Sequence, residues 1–259
     1  MRILGITDLR GATERLSQLS ELVSRERIDA IVFCGNIIPE DARSEAFRKA
    51  ADVGEKPEME KAVLERLEET AVRAYEAFFD EMGKYDIPVY VVPGYLDAPE
   101  RLYMQAALNH EVVEPNVEVV HRSFAPVSGE DLTVVGFGGG ISDDLRENRF
   151  LLVYPEWEAS FAFEFVRHID QNLLMVFNTP PRRGNLDLEN GKHIGRHVVE
   201  SIIKTYRPRF AFCGSALDGQ GTAEIGSTLV INPGPLRDGH YAILDTHTRQ
   251  VTFGRLPAS

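Results

Sequence analysis

Cysteine is scarce: Cys34 and Cys213 are the two thiols in 259 residues. Two thiols cannot build a disulfide framework, and such usage fits a reducing compartment. Long apolar runs are also missing. The longest early one, residues 3–6, is too short for the hydrophobic region of a signal peptide. No stretch approaches the ~20 apolar residues of a membrane helix. These absences predict a cytoplasmic chain with no membrane partner. Basic charge is in deficit, 28 Lys and Arg against 40 Asp and Glu, for a formal net charge of -12. That balance works against non-specific nucleic-acid binding, which relies on neutralising phosphates. It leaves a small phosphorylated ligand open, because one local patch can oppose the global field. Arg supplies 22 of the 28 basic residues and is the better fork for phosphate, although genomic composition gives the same bias.

What is present is ordinary for a globular protein: 43% hydrophobic and 26% charged residues exclude a disordered, collagenous or coiled-coil chain. Short apolar runs recur at residues 2–7, 30–34, 89–92, 132–137, 173–177, 210–213, 228–231, 241–244 and 250–253. They are continuously apolar rather than alternating, as in sheets covered on both faces. In the first half, strand and helix alternate, which predicts parallel pairing through crossover helices. A helix is expected over 12–25, with Leu16, Leu19, Leu22 and Val23 on one face. The closely spaced strands of the last fifty residues suit antiparallel pairing. The expected fold is a mixed α/β sandwich in one domain, 1–259, since no repeat, low-complexity tract or linker marks a boundary.

Residues 40–86 stand apart, with 14 acidic and 8 basic side chains. A charged helical insertion is expected there, its long helix over 58–82 carrying Val63, Leu67, Thr70, Ala74 and Phe78 at helical spacing. Such a segment is either a solvated surface face or an interaction arm, which leaves a homo-oligomer open.

One pattern repeats along the chain: an apolar strand, then a short polar or glycine-rich turn. Asp8-Leu9-Arg10, Gly35-Asn36, Gly94-Tyr95-Leu96-Asp97, Asn178-Thr179-Pro180-Pro181 and Gly214-Ser215-Ala216-Leu217 all follow predicted strands. Ligands of α/β sheets bind beyond the carboxyl ends of strands, so five converging turns are a site hypothesis. In order, spacing and flanking residues these turns resemble the calcineurin-like metallophosphoesterase superfamily. Its signature runs Asp-x-His, Gly-Asp, Gly-Asn-His-Asp/Glu, a His often before Thr-Pro-Pro, then Gly-His-x-His. The likeness spans Ile3 to about Asp245 and includes a closing Asn232-Pro-Gly-Pro235 turn. It implies a four-layer αββα sandwich of two mixed sheets flanked by helices.

The resemblance also implies two metal ions that clamp a phosphoryl group and activate a bridging water. The donors for that task are carboxylates and neutral imidazoles. Carried over position by position, Asp8 is kept, but Arg10 stands where the first His belongs and Asn36 where the bridging Asp belongs. Tyr95 replaces the ligand Asn and Leu96 the leaving-group His, while Asp97 survives. Asn178 replaces the later His, and Ser215 and Leu217 replace the final pair, so six of seven ligand positions differ. Losing one outer partner commonly weakens a metal site roughly 10–100-fold, and six direct losses at that rate multiply to at least about a million-fold. Arg10 also adds a charge that cannot be deprotonated. The expectation is a non-catalytic protein without a metal cofactor that binds a ligand, such as a phosphate or nucleotide, or a partner in the old cleft. Asp8, Arg10, Asn36, Tyr95, Asp97, Asn178 and Ser215 are its candidate binding residues. The competing reading is a divergent phosphoester hydrolase with a single weakly held Mn, Mg or Zn on Asp8, Asn36 and Asn178, or with no metal. Arg10 either pairs with Asp8 to hold the loops or offers its donors to an anion.

Other candidates are weaker. His193 and His197 stand four apart in an expected helix and would share a face, as zinc-binding pairs do, but no glutamate follows the first. Cys34 and Cys213 end separate strands and read as buried small residues, or else as a soft metal pair or a redox pair. Arg182 and Arg183 share one loop, as an anion gate or as surface charge. Gly136-Phe137-Gly138-Gly139-Gly140 reads as a backbone bend rather than a phosphate cradle. No Gly-x-Ser-x-Gly turn occurs.

Overall fold

The computed structural model describes residues 1–97, 114–143 and 150–257. Two six-stranded mixed sheets form its centre. In the first, β1 (Arg2–Ile6), β2 (Ala30–Phe33), β3 (Val89–Val91) and β4 (Val117–Val119) run parallel. β15 (His240–Asp245) and β16 (Val251–Arg255) extend it antiparallel beyond β1. In the second, β6 (Thr133–Phe137), β9 (Leu173–Phe177), β12 (Phe210–Phe212) and β14 (Thr228–Asn232) are parallel. Two antiparallel edge strands, β5 (Ser123–Pro126) and β13 (Gly221–Ile225), complete it. A short parallel pair, β7 (Gly140–Ile141) and β8 (Val153–Tyr154), stands apart from both sheets.

The alternation of side chains along each strand builds four layers. Ile3, Val32 and Cys34 of the first sheet meet Leu174, Val176, Phe210 and Phe212 of the second in a core between the sheets. Leu4, Ile6, Ile31 and Phe33 face the other way, against α1 (Leu16–Glu26) and α3 (Lys61–Met82). On the outer face of the second sheet, Met175, Phe177 and Ala211 pack under the helices Glu156–Phe161 and His197–Tyr206. Both faces of the central strands are thus covered, which is why the runs carry no polar alternation. One close approach of the two sheets is where Gly5 lies under the Phe212 ring. A β-carbon there would stand 2.3 Å from Phe212 Cε1.

Several local expectations need correction. The first helix opens with a 3-10 turn, Thr13–Arg15, and becomes α-helical at Leu16. The buried face of α3 includes Leu64, Ala71, Ala74, Phe78, Phe79 and Met82, and Val63 and Thr70 point to solvent. Phe33 packs its ring 4.6 Å from that of Phe78, which fixes the helix against the sheet. His193 and His197 share no helix. His193 lies in β11 (Lys192–His193), and the helix begins at His197. β11 pairs with β10 (Leu188–Glu189) around Asn190-Gly191, both at positive φ, so a two-residue hairpin precedes the helix where the spacing predicts its start. α2 (Ala42–Val53), capped by Asp41 accepting from the Arg43 amide at 2.8 Å, leans over the strand ends and forms one wall of the site.

Candidate functional site

The carboxyl ends of β1, β2, β3, β9 and β12 converge, and the turns beyond them carry all seven candidate residues. Four of those residues, Asp8, Arg10, Asn36 and Ser215, have φ between 46° and 68°. Left-handed backbone is rare outside glycine and costs on the order of 1 kcal/mol or more per residue. These turns therefore rest on contacts elsewhere, and the contacts are numerous.

Asp8 is the hub, with 1% of its side chain exposed. Its Oδ1 accepts from Arg10 Nε at 2.9 Å and from Asn36 Nδ2 at 2.8 Å. Its Oδ2 accepts from Thr7 Oγ1 at 2.9 Å and from the Ser215 amide at 2.8 Å. Asn36 Nδ2 also donates to Ser215 Oγ at 3.1 Å, and that hydroxyl donates to Asn178 Oδ1 at 3.1 Å. Asn178 Nδ2 closes the chain on the Cys34 carbonyl at 2.7 Å. The remaining amide oxygens are also taken. Asn36 Oδ1 accepts from the Leu96 amide at 3.1 Å and Asn178 Oδ1 from the Tyr95 amide at 2.9 Å. The network ties both sheets together through five turns.

Asp97 performs a separate task. Fully buried, it accepts four backbone N–H groups, from Asn36, Ile37, Ile38 and Gly94, at 2.7 to 3.1 Å. Burial pushes its carboxyl up to about 6, with the four amides pulling the other way. It clamps the turn after β3 onto the turn after β2.

Arg10 is buried, not presented to solvent. Besides Asp8 it reaches the Ser215 carbonyl at 3.4 Å, Glu40 at 3.5 Å and the face of the Tyr95 ring. Burial opposes its charge, but its neighbours, Asp8 first among them, more than offset that and hold its pKa above the ordinary guanidinium value. Glu40 passes the contact on to Arg48 of α2 at 2.6 Å.

A dinuclear metal centre does not fit this donor set. Asp8 keeps the right chemistry, but each of its oxygens already holds two N–H or O–H donors, and one donor is a permanent cation. Asn36 turns its amide nitrogen, not its oxygen, toward Asp8. The fallback set of Asp8, Asn36 and Asn178 fails similarly, since both amide oxygens are committed to backbone N–H groups. Among the described residues no group of three or more His, Cys, Asp or Glu could hold a metal ion.

Above the network lies a cleft of about 530 Å³. Of the seven candidates, Tyr95 and Ser215 line it, and Asp8, Arg10, Asn36, Asp97 and Asn178 lie beneath. Burial pushes the Tyr95 phenol up to about 12, so it stays protonated. The walls come from Phe47, Arg48 and Ala51 of α2 and from Ile141, Leu151, Thr179, Glu189, Ile194 and Arg196. Glu189 and Arg196 are not among the residues that sequence reasoning selects. The Asn190-Gly191 dipeptide, a strong hairpin signal, marks Glu189 as a residue beside a turn, and no such local signal marks Arg196. Arg183, exposed, pairs with Glu200 at 3.8 Å, and Arg182 is exposed as well. Cys34 and Cys213 are fully buried free thiols.

Comparison with known proteins agrees with the fold. Residues 1–256 match a family described as metallophosphoesterase, calcineurin superfamily. One solved structure is 31% identical, with a TM-score of 0.89 and 99% of each chain covered. A protein of Thermus thermophilus, TT1561, is 28% identical, with a TM-score of 0.76 over 98% of each chain. An uncharacterized protein of Methanocaldococcus jannaschii is 23% identical over 98% of this chain and 95% of its own length.

Proposed function

From the premise that this chain belongs to the calcineurin superfamily of metallophosphoesterases, we propose that it is a non-catalytic member. It binds a small anion-bearing ligand in the cleft above the former metal centre. One observation carries the reading. The kept carboxylate, Asp8, is saturated by Thr7, Arg10, Asn36 and Ser215, so the turns are held by an internal ion pair where the family signature implies metal. A permanent guanidinium supplies positive charge but cannot lower the pKa of a water as a bound metal does. Loop geometry, and with it a shaped cavity, is therefore retained without the group that activates the nucleophile.

The test is metal analysis together with turnover. Protein purified and dialysed against Mn, Zn and Mg is analysed by mass spectrometry and assayed on aryl phosphates and cyclic nucleotides. Substoichiometric metal and no metal-dependent turnover are expected. Stoichiometric metal with hydrolysis that Asp8→Asn abolishes would overturn the reading in favour of a divergent hydrolase.

A further inference from the structure

The cleft holds two half-buried opposite charges, Arg196 and Glu189, that form no ion pair among the described residues. Arg196 lies on the rim just before the helix His197–Tyr206, and its one side-chain bond among the described residues is to Ser142 Oγ at 3.2 Å. No carboxylate comes within ion-pair distance of it among the described residues. Glu189, on β10, has neither a side-chain hydrogen bond nor an ion pair among the described residues; burial raises its carboxyl above the usual range, with the more distant Arg10 guanidinium pulling the other way. The other charged residues of the lining differ. Arg48 shares Glu40 with Arg10, at 2.6 Å, and its side chain is mostly exposed, as is Asp52. A half-buried charge without a partner is costly, so an occupant that supplies both counter-groups gains from both.

Between these groups the walls are apolar, with Phe47 and Ile194 facing the cavity. The Tyr95 hydroxyl adds a protonated group with no hydrogen bond of its own among the described residues. A mostly apolar cavity with a few polar groups is what small-molecule sites look like. Arg10 is excluded as the anion receptor, because 2% of its side chain is exposed and Asp8 and Glu40 already take it.

Building on the reading that the cleft binds rather than catalyses, we propose that it selects an amphoteric small molecule. Such a ligand has an aromatic or apolar body, an anionic phosphate or carboxylate on Arg196, and an ammonium or N–H donor on Glu189. Glu189 makes the site a discriminator: a simple anion leaves that carboxylate unpaired and meets its charge.

The experiment uses the full chain, with thermal shift and calorimetric titration. The probes are three amphoteric molecules, AMP, CMP and L-tryptophan. Inorganic phosphate, phenyl phosphate and adenosine serve as controls, each lacking at least one of the three elements. At least one amphoteric probe should bind, and each control should bind at least about tenfold more weakly. Arg196→Ala and Glu189→Gln should each weaken that probe by about tenfold or more, with the unliganded melting temperature of each variant checking the fold. Phenyl phosphate binding as well as the best probe and unaffected by Glu189→Gln would overturn the ligand class while keeping the cleft as a binding site. No shift with any probe would also overturn the class. Metal-dependent turnover would instead sink the underlying reading, so the two failures are distinguishable.

Discussion

Arg10 and Asp8 stand two residues apart on one turn, yet both side chains point inward. Nε donates to Oδ1 at 2.9 Å, with 2% and 1% of the two side chains exposed. The pair occupies the centre of the converging turns and joins residues from both sheets. A buried pair of this kind is weak evidence for net stability, but breaking it from one side leaves an uncompensated charge.

Arg10→Ala should therefore cost about 3–5 kcal/mol, measured by urea denaturation. The double variant Arg10→Ala, Asp8→Asn should recover part of the loss, because the orphaned carboxylate is then neutral. A single variant within about 0.5 kcal/mol of the parent, the order of a typical surface change, would show that the pair does not hold the turns.

Asp97 gives a pH signature of defined sign. Its carboxyl is raised by burial from 3.8 to about 6, against the pull of four amides. Between those values the folded chain keeps a proton that the unfolded chain has released, so this group's contribution falls as the pH rises through the window. The slope is at most about 1.4 kcal/mol per pH unit. Denaturation at pH 4, 5, 6 and 7 should show the parent losing stability relative to Asp97→Asn across that range. A gain would mean that the four amide donors outweigh burial.

Gly5 is required by closeness rather than by conformation. A β-carbon would stand 2.3 Å from the Phe212 ring, which belongs to the opposite sheet. Gly5→Ala should destabilise by about 1–3 kcal/mol, and adding Phe212→Leu should return part of it. Equal losses in the single and double variants would place the strain elsewhere.

The two thiols should be inert in the native protein. Burial pushes both Cys34 and Cys213 upward, away from the reactive thiolate. A chromogenic disulfide reagent at pH 8 should titrate neither thiol in buffer and both in guanidinium. Rapid native labelling would contradict this burial.

Much of the site is legible because strand-end turns have a local signature: a buried apolar run, then glycine or a small polar residue. The turns holding Asp8, Asn36, Tyr95, Asn178 and Ser215 carry it, and the structure brings them together. Glu40 carries none, since nothing local distinguishes it from the other acids of its segment. Arg196 is hidden by a helix reading that starts at His193, and Glu189 by passing over the Asn190-Gly191 turn that precedes His193 and folds a hairpin.

Sequence by itself determined a mixed α/β sandwich, because apolar runs are local properties; the four layers and the replaced ligand positions came through its resemblance to the superfamily. It left open which way Arg10 points, whether Asp97 faces solvent, and which charges remain unpaired. Those depend on distances between residues as far apart as Asp8 and Ser215. Only tertiary packing sets such distances, by deciding which donors reach a buried carboxylate first and which groups are left facing the cavity.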